Sequence, residues 1–141
     1  MPESVGHRQL VGALLGCIRE KPWSTEPFVY ADVANYSLPP IVGNARPDLF
    51  VHCPLRGETL IGEAKTERDL TTFHSAGQIE AYFKRLRDSE CGELWVAVPW
   101  VCAGEAFRLC RSTKLRIKCE VPFTVFGWMF GSTNYSRAWH G

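Results

Sequence analysis

Apolar positions along the chain alternate between two periods. Val11, Leu14, Leu15 and Ile18 recur at helical spacing, Ser4 can cap that segment and Pro22 closes it, which predicts a first helix. Residues 28–33 are rich in β-formers and predict a strand, followed by a loop marked by Pro39-Pro40 and Gly43-Asn44. Residues 46–53 predict a second strand opened by Pro47, where a missing amide does little harm. Pro54-Leu55-Arg56-Gly57 supplies turn chemistry and residues 58–65 the return strand, so the two should pair antiparallel. From Ser75 to about Arg87, Ile79, Tyr82, Phe83 and Leu86 form one helical stripe. Residues 94–98 are almost continuously apolar, as in a central strand covered on both faces. A third helix over about residues 104–112 is followed by strict alternation at 115–121, which predicts a half-buried strand. Residues 123–130 read as a further apolar strand, and the last ten carry no clear pattern. The order helix, three strands, helix, strand, helix, strand predicts an α/β fold with a mixed sheet flanked by helices.

Length and composition narrow this to one domain. The chain has 141 residues, 45% hydrophobic and 22% charged, enough for one core and incompatible with disordered, collagen-like or coiled-coil classes. With 16 basic and 15 acidic side chains the net charge is +1, which argues against a histone-like polybasic binder. The distribution is less even. Residues 1–80 carry 7 basic and 10 acidic side chains, residues 81–141 carry 9 and 5. The apolar stretch at 10–18 falls well short of the about 20 residues that a spanning helix needs, and no cleavage signal follows it. A cytoplasmic protein without a membrane anchor is expected. Six cysteines without a CxxC pair then read as reduced thiols, several of them buried.

The informative region is Pro47-Asp48 together with Glu63-Ala64-Lys65. Alternate residues of a strand share a face, so Glu63 and Lys65 point the same way. Antiparallel pairing brings the start of the first strand to the end of the second, which places Asp48 beside both. Two carboxylates and an amine then converge at a strand end. Hard cations such as Mg²⁺ are commonly held by one or two carboxylates plus waters, and a nearby lysine can orient a water or stabilise developing charge. That set suits metal-assisted phosphodiester hydrolysis. The structural alternative is a solvated Glu63–Lys65 salt bridge with Asp48 as a turn residue.

Arg46-Pro47-Asp48-Leu49-Phe50-Val51 followed by Leu60-Ile61-Gly62-Glu63-Ala64-Lys65 resembles the PD-(D/E)xK nucleases, the restriction-endonuclease-like fold, and the likeness extends over roughly residues 4–98. The resemblance implies a Mg²⁺- or Mn²⁺-dependent phosphodiesterase of the endonuclease kind, acting on DNA and less often RNA. It implies Asp48, Glu63 and the Ala64 carbonyl as metal ligands and Lys65 as the water-positioning or charge-stabilising residue. Gln78 and Tyr82 are similar to the QxxxY pattern of RecB-like and Cas4-like nucleases, with Gln78 in reach of a phosphate or a metal-associated water. Ser75 and Gln78 also fit a capping box, so two uses of Gln78 stand open. The superfamily often adds a ligand from the first helix. His7-Arg8-Gln9-Leu10 fits its histidine form, with Glu3, Glu20 and Asp32 as rivals. The Cas4-like likeness also raises an iron–sulfur cluster on Cys17, Cys102, Cys110 and Cys119, against the simpler reading of buried thiols.

Lys84, Arg85, Arg87, Arg111 and Lys114, with Arg108, Arg116 and Lys118, could form a phosphate-binding rim beside the acidic site or the solvated face of two helices and a strand. The C-terminal aromatics Phe123, Phe126, Trp128, Phe130 and Trp139 suit a core strand or a homodimer interface, with base stacking as a further use. The expected alternatives to a free-standing nuclease are a catalytically silent nucleic-acid-binding or assembly subunit with this fold, and the nuclease subunit of a larger DNA-processing complex.

Overall fold

A computed structural model describes residues 5–70, 72–129 and 135–141. In chain order these form α1 (Val5–Glu20), β1 (Phe28–Ala31), β2 (Leu49–Cys53), β3 (Glu58–Ala64), a single-turn α2 (Glu67–Leu70), α3 (Phe73–Arg87), β4 (Cys91–Pro99), α4 (Ala103–Ile117), β5 (Phe123–Trp128) and β6 (Tyr135–His140). The described strands make one mixed sheet in sequential order from β1 to β6. The β3–β4 and β4–β5 pairings are parallel and the remainder antiparallel.

Strand alternation divides the core in two. Leu49, Val51, Leu60 and Ala97 face Leu10, Val11 and Leu14 of α1. Phe50, Ile61, Leu94 and Val96 face α3 and α4 on the other side. Leu10, Val11 and Leu14 are fully buried, and each such side chain contributes about 1.5–3 kcal/mol relative to exposure. Parallel neighbours require crossovers. Accordingly α3 returns the chain from the end of β3 to the start of β4, and α4 does the same between β4 and β5. One end of the sheet therefore collects the finish of β3, β4 and β5 together with the start of β2. The expected hairpin is present: Leu49 opposes Gly62 and Cys53 opposes Glu58. A 3₁₀ turn at Pro54–Arg56 joins the strands, and Gly57 leaves it at φ 61°, a left-handed conformation that favours glycine.

Three expectations need correction. Residues 115–121 are not a strand: α4 runs on to Ile117 and ends in a left-handed Lys118. The stripe that α4 buries is Ala103, Ala106, Cys110 and Thr113, while Leu115 lies 70% exposed. The apparent alternation was the helix end and the loop after it. The third helix is thus longer than residues 104–112. The final residues, without pattern in the sequence, form the edge strand β6. The Ser4 cap, Glu3 and Phe130 lie outside the described residues. Phe123, Phe126 and Trp128 are buried in the sheet, as a core strand requires. All six cysteines are free thiols. Cys17 packs in the α1 layer, whereas Cys102, Cys110 and Cys119 lie in the opposite layer, so the sheet separates the four that a cluster would need. Among the described residues no helix is long and apolar enough to cross a membrane.

Candidate active site

The site lies where β3 ends and β2 begins. Because Leu49 opposes Gly62, Asp48, immediately before β2, falls level with the end of β3. Its Oδ2 accepts a 2.8 Å hydrogen bond from the Ala64 amide, which fixes the carboxylate against the strand. Glu63 and Lys65 follow Ile61 on the α3 side of the sheet, as their alternation requires. The Lys65 amide donates to Ala97 O at 3.0 Å, anchoring the residue to β4. Its Nζ donates to Oε1 of Gln78 on α3. Tyr82, one turn beyond Gln78, lies close enough to the Glu63 carboxylate for each to influence the other's ionisation. From the opposite layer, His7 at the start of α1 brings Nε2 to 3.2 Å from Asp48 Oδ2.

The two uses of Gln78 resolve through the start of α3. Thr72, not Ser75, is the N-cap, and its hydroxyl accepts from the Ser75 amide at 3.1 Å. The Ser75 hydroxyl donates to Asp69 O instead. Gln78 is thereby released to hold Lys65.

Burial sets the electrostatics. Asp48, Glu63 and Lys65 are only 6%, 4% and 7% exposed, where charged side chains are rarely found unless paired. Burial pushes the Glu63 carboxyl well above the ordinary glutamate range, and the neighbouring Asp48 charge raises it further against the opposing influence of Lys65. Burial also pushes Asp48 upward, but hydrogen bonds with His7 and Glu63, the His7 charge and the Ala64 amide outweigh it and hold its pKa below the ordinary value. Asp48 is the ionised partner and Glu63 the reluctant one. An ionised carboxylate only accepts, so His7 Nε2–H is the donor in their contact. Burial and the Glu63 charge also hold the Tyr82 phenol in its neutral form.

Glu63 Oε2 and the Tyr82 hydroxyl are buried without a hydrogen bond of normal geometry. An acceptor left this way in a low-dielectric site costs about 1–3 kcal/mol, and a cation would relieve it. Among the described residues no three His, Cys, Asp or Glu side chains are grouped to enclose a metal ion. A Mg²⁺-type ion needs less, since one or two carboxylates with retained waters suffice. Asp48, Glu63 and the Ala64 carbonyl supply such a set, and the orphaned Oε2 fits it. His7, expected as a ligand, is placed as the hydrogen-bonding partner of Asp48. Of its rivals, Glu20 ends α1 at the other extreme, and Asp32 is exposed, its amide donating to Asp48 O at 3.0 Å.

Comparison with protein-family models, with curated proteins and with solved structures gave no match. Any functional reading therefore stands on the geometry of the site.

The expected basic rim is not assembled beside these groups. Lys84, Arg85 and Arg87 lie beyond Tyr82 on the half of α3 that returns to the start of β4. Lys84 pairs with Glu80 at 3.4 Å, Arg85 sits over the Phe50 ring at 5.6 Å, and Arg87 donates to Ile117 O at 3.4 Å. Arg111 and Lys114 occupy the second half of α4, with Lys114 5.5 Å from the Phe123 ring. Arg116 donates to Glu80. Most of these side chains are thus engaged on the helical surface, with Glu80, an aromatic ring or a backbone carbonyl.

Proposed function

We propose that this chain is a divalent-metal-dependent phosphodiesterase acting on nucleic acid, DNA foremost, with a core of the restriction-endonuclease kind. The observation that carries this reading is the burial of Asp48, Glu63 and Lys65 together at one sheet end, with Asp48 held by β3 and α1 and Lys65 by α3. Asp48, Glu63 and the Ala64 carbonyl would hold the cation. When bound, the ion would offset the charge that develops on the phosphoryl oxygens.

The protein's own groups do the remaining work. Lys65, steadied by Gln78, presents a fixed positive charge beside the carboxylates, preorganised for an anionic transition state and for orienting an attacking water. The Ala64 amide and His7 hold Asp48 ionised and in place. Tyr82 closes the inner wall behind Glu63 and keeps bulk water out.

The test is incubation of the purified chain with plasmid, linear duplex, single-stranded and branched DNA and with RNA, in Mg²⁺ or Mn²⁺ and in chelator. Cleavage of DNA that needs the metal supports the reading. Absence of cleavage on every substrate, with either metal, overturns it in favour of a silent binding or assembly subunit.

A further inference from the structure

The end of the sheet that carries the site also exposes an aromatic platform. β4 finishes at Pro99 and turns directly into a 3₁₀ segment, Trp100–Cys102. Trp100 is 50% exposed, beside exposed Val101 and Met129. These residues line a cavity of about 450 Å³ whose other wall includes Thr66, the residue after Lys65. Its backbone packs closely on β5: a Cβ on Gly127 would lie 3.2 Å from the Trp100 Cα.

We propose that this platform receives an unpaired base of a DNA strand whose adjacent phosphate lies at the carboxylates. The inference rests on the phosphodiesterase reading and specifies its substrate as single-stranded or frayed DNA. Two observations carry it. The platform stands at the same end of the sheet as the carboxylates, and Thr66, next in sequence to Lys65, lines its cavity together with Glu67. The basic side chains of α3 and α4, which could have neutralised the many phosphates of a duplex, lie toward the opposite end of the sheet, several engaged with Glu80, Ser89 or the Ile117 carbonyl. Single-strand binders draw their affinity instead from bases stacked on aromatic faces.

The full chain is titrated into a fluorescent oligodeoxynucleotide, single-stranded or as a blunt duplex, with Ca²⁺ replacing Mg²⁺, and with the same strand as RNA. Binding is read by anisotropy. Wild-type protein is expected to prefer the single DNA strand. Trp100→Ala is expected to weaken that binding about tenfold, the scale of one lost stacked base, with duplex binding unchanged, while Trp100→Phe retains most of it. On wild-type protein, a photoreactive iodouracil strand is expected to cross-link at Trp100, a readout independent of how any variant folds. Equal binding by Trp100→Ala, preference for duplex or for RNA, or cross-links only at other residues would overturn the proposal. DNA cleavage in Mg²⁺ with no dependence on Trp100 defeats the platform alone. Neither binding nor cleavage of any nucleic acid defeats both it and the phosphodiesterase reading.

Discussion

The two ends of the central sheet are both rich in charge, and they handle it differently. At the far end, where β3 and β4 begin, Lys21 and Glu93 pair at 3.8 Å with about a quarter of each side chain exposed. Lys21 also lies 4.9 Å from the Trp23 ring. Such half-wet pairs contribute about 0–1 kcal/mol, because water screens what the geometry gains. At the near end Asp48, Glu63 and Lys65 are almost wholly buried, and two acids press on each other. That arrangement costs stability, and a protein retains it where chemistry requires it. A cluster of charges is therefore uninformative until its burial and its unsatisfied atoms are known.

The sharpest way to break this contrast is to remove a charge from each end. Glu63→Ala and Lys65→Ala are expected to lower metal-dependent DNA cleavage by at least about 10²–10³-fold, the scale of losing one preorganised electrostatic group, with an unchanged circular dichroism spectrum. Undiminished cleavage by either variant would contradict the assignment. Gln78→Ala leaves Lys65 in place but unheld, so a smaller loss of about tenfold is expected, together with an altered pH–rate profile. A merely structural Gln78 would lower stability and leave that profile unmoved.

Smaller effects appear in stability. The folded pKa of Glu63 lies above its unfolded value, so its contribution is full below pH 4.5 and is lost as pH rises through the folded pKa. Asp48 is the reverse: its contribution holds above pH 3.8 and is lost as pH falls through its lowered pKa. Urea denaturation of the metal-free protein should therefore show stability falling from pH 4.5 upward. Glu63→Gln should flatten that fall and gain about 1–2 kcal/mol at the alkaline side, as expected for removing a costly functional charge. The smallest change is expected at the far end, where Lys21→Ala or Glu93→Ala should shift stability by less than about 1 kcal/mol. A larger shift there would erase the distinction between the two ends.

Much of the site was legible in sequence because a hairpin is a local object. The period of two fixed the face shared by Glu63 and Lys65, and the short turn fixed where Asp48 must fall. What was not legible depended on nonlocal choices. Gln78 had two suitors, and only the capture of the N-cap by Thr72 decided between them. The α4 stripe is built from Ala, Cys and Thr, which carry weak hydrophobic signals, so the stronger Leu115, Ile117, Cys119 and Val121 dictated a false strand. β6 alternates little in its composition because it is an edge strand, held by pairing with β5. The basic residues clustered in sequence, yet the crossover direction of α3 and α4 carried them away from the carboxylates. Trp100 gave no periodic signal, since it stands in the short 3₁₀ turn after β4 and belongs to neither a strand nor a helix period.

The central claim is that the buried carboxylates form a cation site, and calorimetric titration of Mn²⁺ into the purified chain tests it most directly. Wild-type protein should bind with saturable heat at a single site, and Asp48→Asn and Glu63→Gln should each abolish it while remaining folded. No saturable binding by the wild type, or binding unchanged in both variants, would contradict the claim.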